Sequence, residues 1–551
     1  MTHSGRTQSS DVGLYQRVLA QQGQRALPAP PPPRPSAAVV PWRRIGPDRI
    51  EVYWVRRAES MPFMGGWYAF PGGGLSKRDL AVPVEGVPRG METASDTTKL
   101  PRSLRTGSEP PPPDLVPGLT ACALRELFEE TGILLVQELL PGSTAGPVAS
   151  AGLLEELREK LLARETTFSD LLQELDLHAD ASSLVFAGRW MTPPFAPLRF
   201  DNRFFLLEWP PEATLQPSLA GGELDLGEWL PPAEAYARWE RLEALAAPPI
   251  LHLLEVLAED GPEKGLPRLR EPREADMGPF RRIEFRPRVL MVPLATATLP
   301  PATHTNAYLV GGRELALIDP GSSDATAIAD LVEALDDLRE RHGQEVTALW
   351  LTHHHPDHVG GVRALRERLG VPVLAHAETA IRVRRLGIAV DEEIADGQVF
   401  RLAGLAGSPE VTVKALHTPG HAPGHLCFFE ERGRSLIAGD MVAGIGTIVI
   451  DPPEGDMDAY LASLQRLIEL QPRTLFPSHG PTIKNAVEKL QEYLDHRLWR
   501  EEKVLTAWRD GIRATGEMLP RVYDDAPREA WPLAEVQIEA HLQRLRRAGR
   551  L

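Results

Sequence analysis

The stretch LTHHHPDHVGG, residues 351–361, puts four histidines and an aspartate into six consecutive positions. It follows VTALW (346–350), an apolar run rich in strand-forming residues. In an extended segment, side chains two and four residues apart point the same way. His353, His355 and Asp357 are therefore expected to converge at the strand end, with His358 joining at the turn and His354 facing away. Gly360 and Gly361 are read as letting the backbone turn into the next helix. Imidazoles and a carboxylate gathered at one point suit Zn²⁺.

Three further pieces share this context. Asp319 ends the apolar run LALID (315–319), Asp440 ends LIAGD (436–440), and His479 closes LFPSHG (475–480). His421 lies in the turn HTPGHAPGH (417–425). Loops at strand ends are where scaffolds usually mount functional groups. A closed structural zinc usually takes cysteines, and this half of the chain has one, Cys427.

HxHxDH, then TPGH, AGD and SHG, in that order, resemble the metallo-β-lactamase-fold hydrolases over about residues 288–485. The resemblance implies an αββα sandwich. It assigns His353, His355 and His421 to one zinc, and Asp357, His358 and His479 to a second. Asp440 would bridge them, Asp319 would orient ligands, and Asp357 would also act catalytically as a proton acceptor. Two cations would share a hydroxide available at neutral pH. His376, His417 and His425 match no ligand position and read as supporting or packing residues. THTNAYLVGG (303–312), the stretch from Ala438 to Leu467 and YLDHRLWREEKVL (493–505) resemble the β-lactamase-like-2 subgroup. That likeness implies a helical, winged-helix-like C-terminal region and, from the animal members, cleavage of single-stranded RNA. Glyoxalase II relatives share the metal motif and hydrolyse thioesters, so both substrate classes stay open.

Upstream, ALRELFEETGI (123–133) places Glu126, Glu129 and Glu130 on one helix face. Oxygen ligands crowded this way suit Mg²⁺ or Mn²⁺, and Arg125 can pin a carboxylate. With PGGG (71–74) the string resembles a Nudix box, but the glutamate expected soon after the glycines is missing and residues 80–118 read as an insertion. Both departures resemble the Nudix subgroup of peroxisomal coenzyme A diphosphatases. Asp79 falls where that subgroup has an aspartate, and WMTPPFAPLRFDNRFFL (190–206) resembles one of its segments. The likeness covers about residues 37–258. It implies an α/β/α sandwich hydrolysing a nucleoside diphosphate derivative such as coenzyme A. Glu129 and Glu130 would hold the metal, with Glu126 as ligand or catalytic base. The alternative is a non-catalytic ligand-binding Nudix half beside an acyl-thioester hydrolase.

A chain of 551 residues is too long for one core. The layout read from composition is a Pro-rich tail (1–36), a Nudix domain (37–260), a charged linker (261–287), a metallo-β-lactamase-fold domain (288–485) and a helical region (486–551). The net charge of −16 argues against broad non-specific nucleic-acid binding, while RLRRAGRL (544–551) reads equally as a source of phosphate contacts or as a solvated helix end. The partners expected are a small-molecule nucleotide or CoA-type substrate, with single-stranded RNA left open. Only Cys122 and Cys427 are present, one in each half, which suits a reducing compartment. With neither an apolar leader nor an apolar run of ~20 residues, a cytoplasmic protein without a membrane span is expected. The sequence carries no signal of oligomeric state.

Overall fold

A computed structural model describes residues 31–551 except 62–63, 92–100, 103–114, 137–150, 195, 197, 210–215 and 221. Most of the expected Pro-rich tail, and much of the expected insertion, lie outside the described residues. Among those described, two compact units are present, Pro30–Pro287 and Arg288–Leu551.

The first unit is built on a mixed sheet. The strand Arg34–Gly46 runs parallel to Phe200–Glu208 and antiparallel to Arg49–Arg57. Alternation along the central strands explains the layering. Ala37, Val39, Phe205 and Leu207 join Leu124, Leu127 and Phe128 of the helix Leu115–Thr131. Ala38, Val40, Phe204 and Leu206 pack instead on Leu251, Leu254 and Val256 of the helix Pro248–Glu259. A strand buried on both faces loses polar alternation and reads as one apolar run. The result is the expected α/β/α sandwich.

Residues 261–287 are not a spacer. They form helices Gly261–Lys264 and Leu266–Arg270 and the strand Ile283–Arg286. Leu269 is fully buried in the first unit's core, and Trp239 Nε1 donates to Phe285 O at 3.0 Å. Isolated apolar anchors hold a segment whose average composition is polar.

In the second unit one sheet runs Val289–Ala295, His304–Gly311, Glu314–Ile318, Glu345–Trp350, Val373–Ala375, Glu392–Glu393. The other runs Val399–Leu402, Val411–His417, Leu426–Glu430, Ser435–Gly439, Thr474–Pro477. The sheets face each other, with the Trp350 ring 5.1 Å from Phe428 and Tyr308 5.7 Å from Phe476. Helices Ala325–His342 and Met457–Leu470 complete the αββα layering. Helices Ala486–Arg509, Thr515–Val522 and Trp531–Arg547 form the C-terminal region around their own core of Val504, Met518 and Ile538. No described helix is long and apolar enough to cross a membrane.

Candidate metal centres

In the second unit the donors gather where the strands of both sheets end. His353 Nε2 and His421 Nε2 stand 2.9 and 3.0 Å from His355 Nδ1. Asp357, His358 and His479 form a second group, with His479 Nε2 3.6 Å from Asp357 Oδ2. Asp440 stands between the groups. Its Oδ1 is 3.6 Å from His358 Nε2 and 3.5 Å from His479 Nε2, and its Oδ2 is 3.4 Å from His421 Nε2. All seven residues are buried.

The extended alternation ends at His355. Asp357 and His358 ride on the short helix Pro356–Val359, and its turn brings them to the same side. Gly360 and Gly361 both have right-handed helical angles, so turning is not their task. They admit close approach instead. A Cβ on Gly360 would lie 2.4 Å from Gly321 O, and one on Gly321 would lie 1.7 Å from Asp357 O. The loop after Asp319 thereby interlocks with the histidine loop.

The other nitrogen of four of the histidines is occupied, which fixes each tautomer. His358 Nδ1 donates to Asp319 Oδ2 at 2.9 Å, and Thr352 Oγ1 donates to the same oxygen at 2.5 Å. The threonine oxygen is then left to accept His353 Nδ1–H at 2.9 Å. His421 Nδ1 donates to Val449 O at 2.7 Å, and His479 Nδ1 to His304 O at 3.1 Å. Thr352 and Val449 were not legible in advance, since a hydroxyl and a carbonyl carry no motif. His425 Nε2 accepts the Asp440 N–H at 3.0 Å, and His376 stacks on His417 at 4.1 Å. His354 leaves the cluster to pair with Glu454 at 3.2 Å, and this hydrogen bond, with Arg382 adding, holds the Glu454 carboxyl at about 2.

The donor set fits cations. Both oxygens of Asp357, Asp440 Oδ1 and His358 Nε2 are buried without a hydrogen-bond partner among the described residues. An unpaired buried carboxylate is strongly unfavourable unless a cation meets it. Burial, reinforced by neighbouring imidazoles, pushes His353 and His355 well below the ordinary imidazole range, so their converging lone pairs carry no proton. Burial also opposes the charged form of His358, but Asp440, Asp357 and Asp319 outweigh it and raise that ring.

In the first unit, Glu126, Glu129 and Glu130 line a cavity of about 850 Å³ with Gly72, Gly73 and Asn202. Gly72 N donates to Glu130 Oε2 at 2.8 Å, and a Cβ on Gly73 would fall 2.4 Å from Glu126 Oε1. The glycines are needed because the carboxylates lie against the backbone. Arg125 forms a two-pronged ion pair with buried Asp79, at 2.8 and 3.0 Å, and reaches Glu126 and Glu129 at 2.8 and 2.9 Å. Asp79 therefore supplies the carboxylate that anchors the arginine where the box glutamate is missing. Burial raises Glu126 to about 7, against the pull of Arg125, and raises Glu129 and Glu130 in the same direction.

Two sandwich folds carrying buried carboxylate and imidazole clusters define a metal-dependent hydrolase. Residues 300–479 match the family model of the metallo-beta-lactamase superfamily, 37–257 that of the NUDT19 Nudix domain, and 515–551 that of the beta-lactamase associated winged helix domain. The chain belongs to the metallo-beta-lactamase superfamily and carries a NUDT19-type Nudix domain ahead of that fold. It is similar to the beta-lactamase-like protein 2 homolog of Drosophila melanogaster, 30% identical over 259 residues, covering 45% of this chain and 84% of that protein. It is also similar to the atrochrysone carboxyl ACP thioesterase of Aspergillus chevalieri, 36% identical over 209 residues. That match covers 37% of this chain and 61% of the relative, less than two thirds of its length. Among solved structures it is similar to a NUDIX hydrolase from Alicyclobacillus acidocaldarius, with 31% identity, TM-score 0.32, and coverage of 41% of this chain and 91% of that one.

Proposed function

We propose that the second unit is a dizinc hydrolase of acyl thioesters. We propose that the first hydrolyses a nucleoside diphosphate derivative, such as coenzyme A, with Mg²⁺ or Mn²⁺. The observation that carries the first reading is Asp440, whose two oxygens face two different donor groups. His353, His355 and His421 would hold one zinc, Asp357, His358 and His479 the other, with Asp440 between them. Two cations there would make water a nucleophile at neutral pH and polarise the carbonyl it attacks. Asp357 would orient that water and accept its proton. Water adds to the thioester carbon, the C–S bond breaks, and the products are a carboxylate and a thiolate, which takes a proton from solvent to become the thiol. A thiolate is a good leaving group, so no separate proton donor is required.

Thioester is favoured over RNA by the C-terminal arginines. Arg544 and Arg547 pair with Asp458, Arg547 also with Asp456, and Arg550 with Glu501 and Glu502. The basic stretch that would contact phosphates is engaged within the chain. The resemblance to an acyl-carrier-protein thioesterase points the same way. The test is to incubate the zinc-loaded chain with acyl-CoA and, separately, with single-stranded RNA. Thiol release lost in Asp357→Ala is expected, and RNA cleavage without thiol release would reverse the assignment.

For the first unit, Glu129 and Glu130 would hold Mg²⁺ or Mn²⁺, and Glu126 would be a ligand or the base that activates water. The support is the acidic helix face turned into the 850 Å³ cavity, with Asp79 completing the arginine anchor. Diphosphate cleavage of coenzyme A should disappear in Glu129→Gln. Cleavage unchanged in that variant would show that this site is not catalytic as proposed.

A further inference from the structure

Residues 441–456 join the strand Ser435–Gly439 to the helix Met457–Leu470 without forming helix or strand, yet Ile448, Val449 and Ile450 are buried. The Val449 carbonyl accepts His421 Nδ1–H at 2.7 Å. A segment outside any helix or strand has no ladder of its own to fix its carbonyls. Here they are fixed from the far end of the chain. Arg497 Nη2 donates to Ile448 O at 2.6 Å, and Gln537 Nε2 donates to Ile450 O at 3.2 Å. Arg497 Nη1 donates to Gln537 Oε1 at 2.9 Å, so the two side chains that flank Val449 also hold each other. The Val449 side chain packs on Val536, the neighbour of Gln537.

Both holding groups are buried, Arg497 at 3% and Gln537 at 4% exposure. Among the described residues Arg497 meets a carbonyl, a side-chain amide and the Tyr460 ring at 5.5 Å rather than a carboxylate. Burying a guanidinium without a carboxylate is unfavourable, and apolar side chains of similar volume would fill the same space at less cost to stability. What they could not do is hold two carbonyls in place.

We propose that Arg497 and Gln537 are positioning residues of the metal centre. They set the Ile448–Ile450 backbone, Val449 O sets the His421 ring, and Nε2 is thereby presented to His353 and His355. The C-terminal helices are thus a structural part of the site. This rests on the reading of His353, His355 and His421 as one cation's ligands.

The test uses the full chain, stripped of metal and titrated with Zn²⁺ against a competing chelator. Arg497→Met and Gln537→Leu should each weaken one of the two zinc-binding steps by roughly 10–100-fold, the range for groups that orient ligands. The other step should stay close to wild type. Arg500→Met is the control. Arg500 lies on the same helix but binds Asp525 and Val522 O within the C-terminal region, so its loss should lower the melting temperature and spare both steps. If Arg497→Met fails to fold, Gln537→Leu decides alone. Wild-type affinity at both steps in Gln537→Leu, or equal weakening in Arg500→Met, overturns the proposal. A wild-type chain that binds no zinc overturns the metal-centre reading itself, a different result from the other two.

Discussion

Asp319 Oδ2 accepts both His358 Nδ1, at 2.9 Å, and Thr352 Oγ1, at 2.5 Å, so one carboxylate oxygen orients His358 directly and His353 through a hydroxyl. The backbone at Asp319 has φ +51°, a conformation unfavourable for a residue with a side chain. Asp319→Asn should lower zinc affinity by roughly 10–100-fold, and Thr352→Val should act in the same direction. Chelator competition measures both, and an unchanged affinity in Asp319→Asn would remove Asp319 from the site's support.

Gly321 fits because Asp357 O occupies the space its side chain would take, at 1.7 Å. The opposing backbone cannot retreat, since Gly360 already lies against Gly321 O and Gly361 against Pro320 O. Gly321→Ala should destabilise the second unit by about 2–3 kcal/mol, as overpacking does. Denaturant unfolding reports it, and a loss under ~0.5 kcal/mol would mean the loops are not interlocked.

Asp79 is 1% exposed and bound in two places to Arg125. Removing one member of a buried ion pair leaves the other uncompensated and costs about 3–5 kcal/mol. The remaining contacts of Arg125 with Glu126 and Glu129 place Asp79→Asn near the lower end. Glu126 and Glu129 should shift with the arginine, and Mg²⁺-dependent diphosphate cleavage should fall by at least about tenfold. Full activity in Asp79→Asn would show that the anchor is dispensable.

Glu126 gives a signed pH dependence. Burial raises its carboxyl to about 7 in the metal-free chain, while Arg125 opposes, against about 4.3 unfolded. Between those values the folded chain keeps a proton that the unfolded chain has lost. The stabilisation is complete below about pH 4.3 and is lost as pH rises through 7, about 4 kcal/mol in all. In chelator, wild type should therefore lose stability from pH 5 to 8 relative to Glu126→Gln. Mg²⁺, which takes the ionised carboxylate, should stabilise more at pH 8 than at pH 5. Parallel pH curves for the two proteins would contradict the assignment.

Much of the fold is legible in the sequence because apolar runs end in ligand-type residues. Glu314–Ile318 precedes Asp319, Ser435–Gly439 precedes Asp440, and Thr474–Pro477 leads to His479. The acidic helix was readable from Leu119 but begins at Leu115, behind a segment whose prolines read as exposed chain. Composition misled most at 261–287, where an average of charge, proline and glycine hides Leu269, Met277 and Ile283, all buried. At RLRRAGRL composition left two readings open, because Asp456, Asp458 and Glu501, which engage those arginines, lie 43–91 residues away. Val449 and its two holders were unreadable for a similar reason. Carbonyls leave no mark in sequence, and nothing local links Arg497 and Gln537 to His421.

The central claim is that Asp440 lies between two cations, and metal analysis of the purified full chain loaded with zinc tests it most directly. Two zinc ions per chain are predicted in the wild type. His421→Ala and His479→Ala should each retain one, and Asp440→Asn should hold both weakly. Less than one zinc per chain in the wild type, or two retained in either histidine variant, would contradict the account.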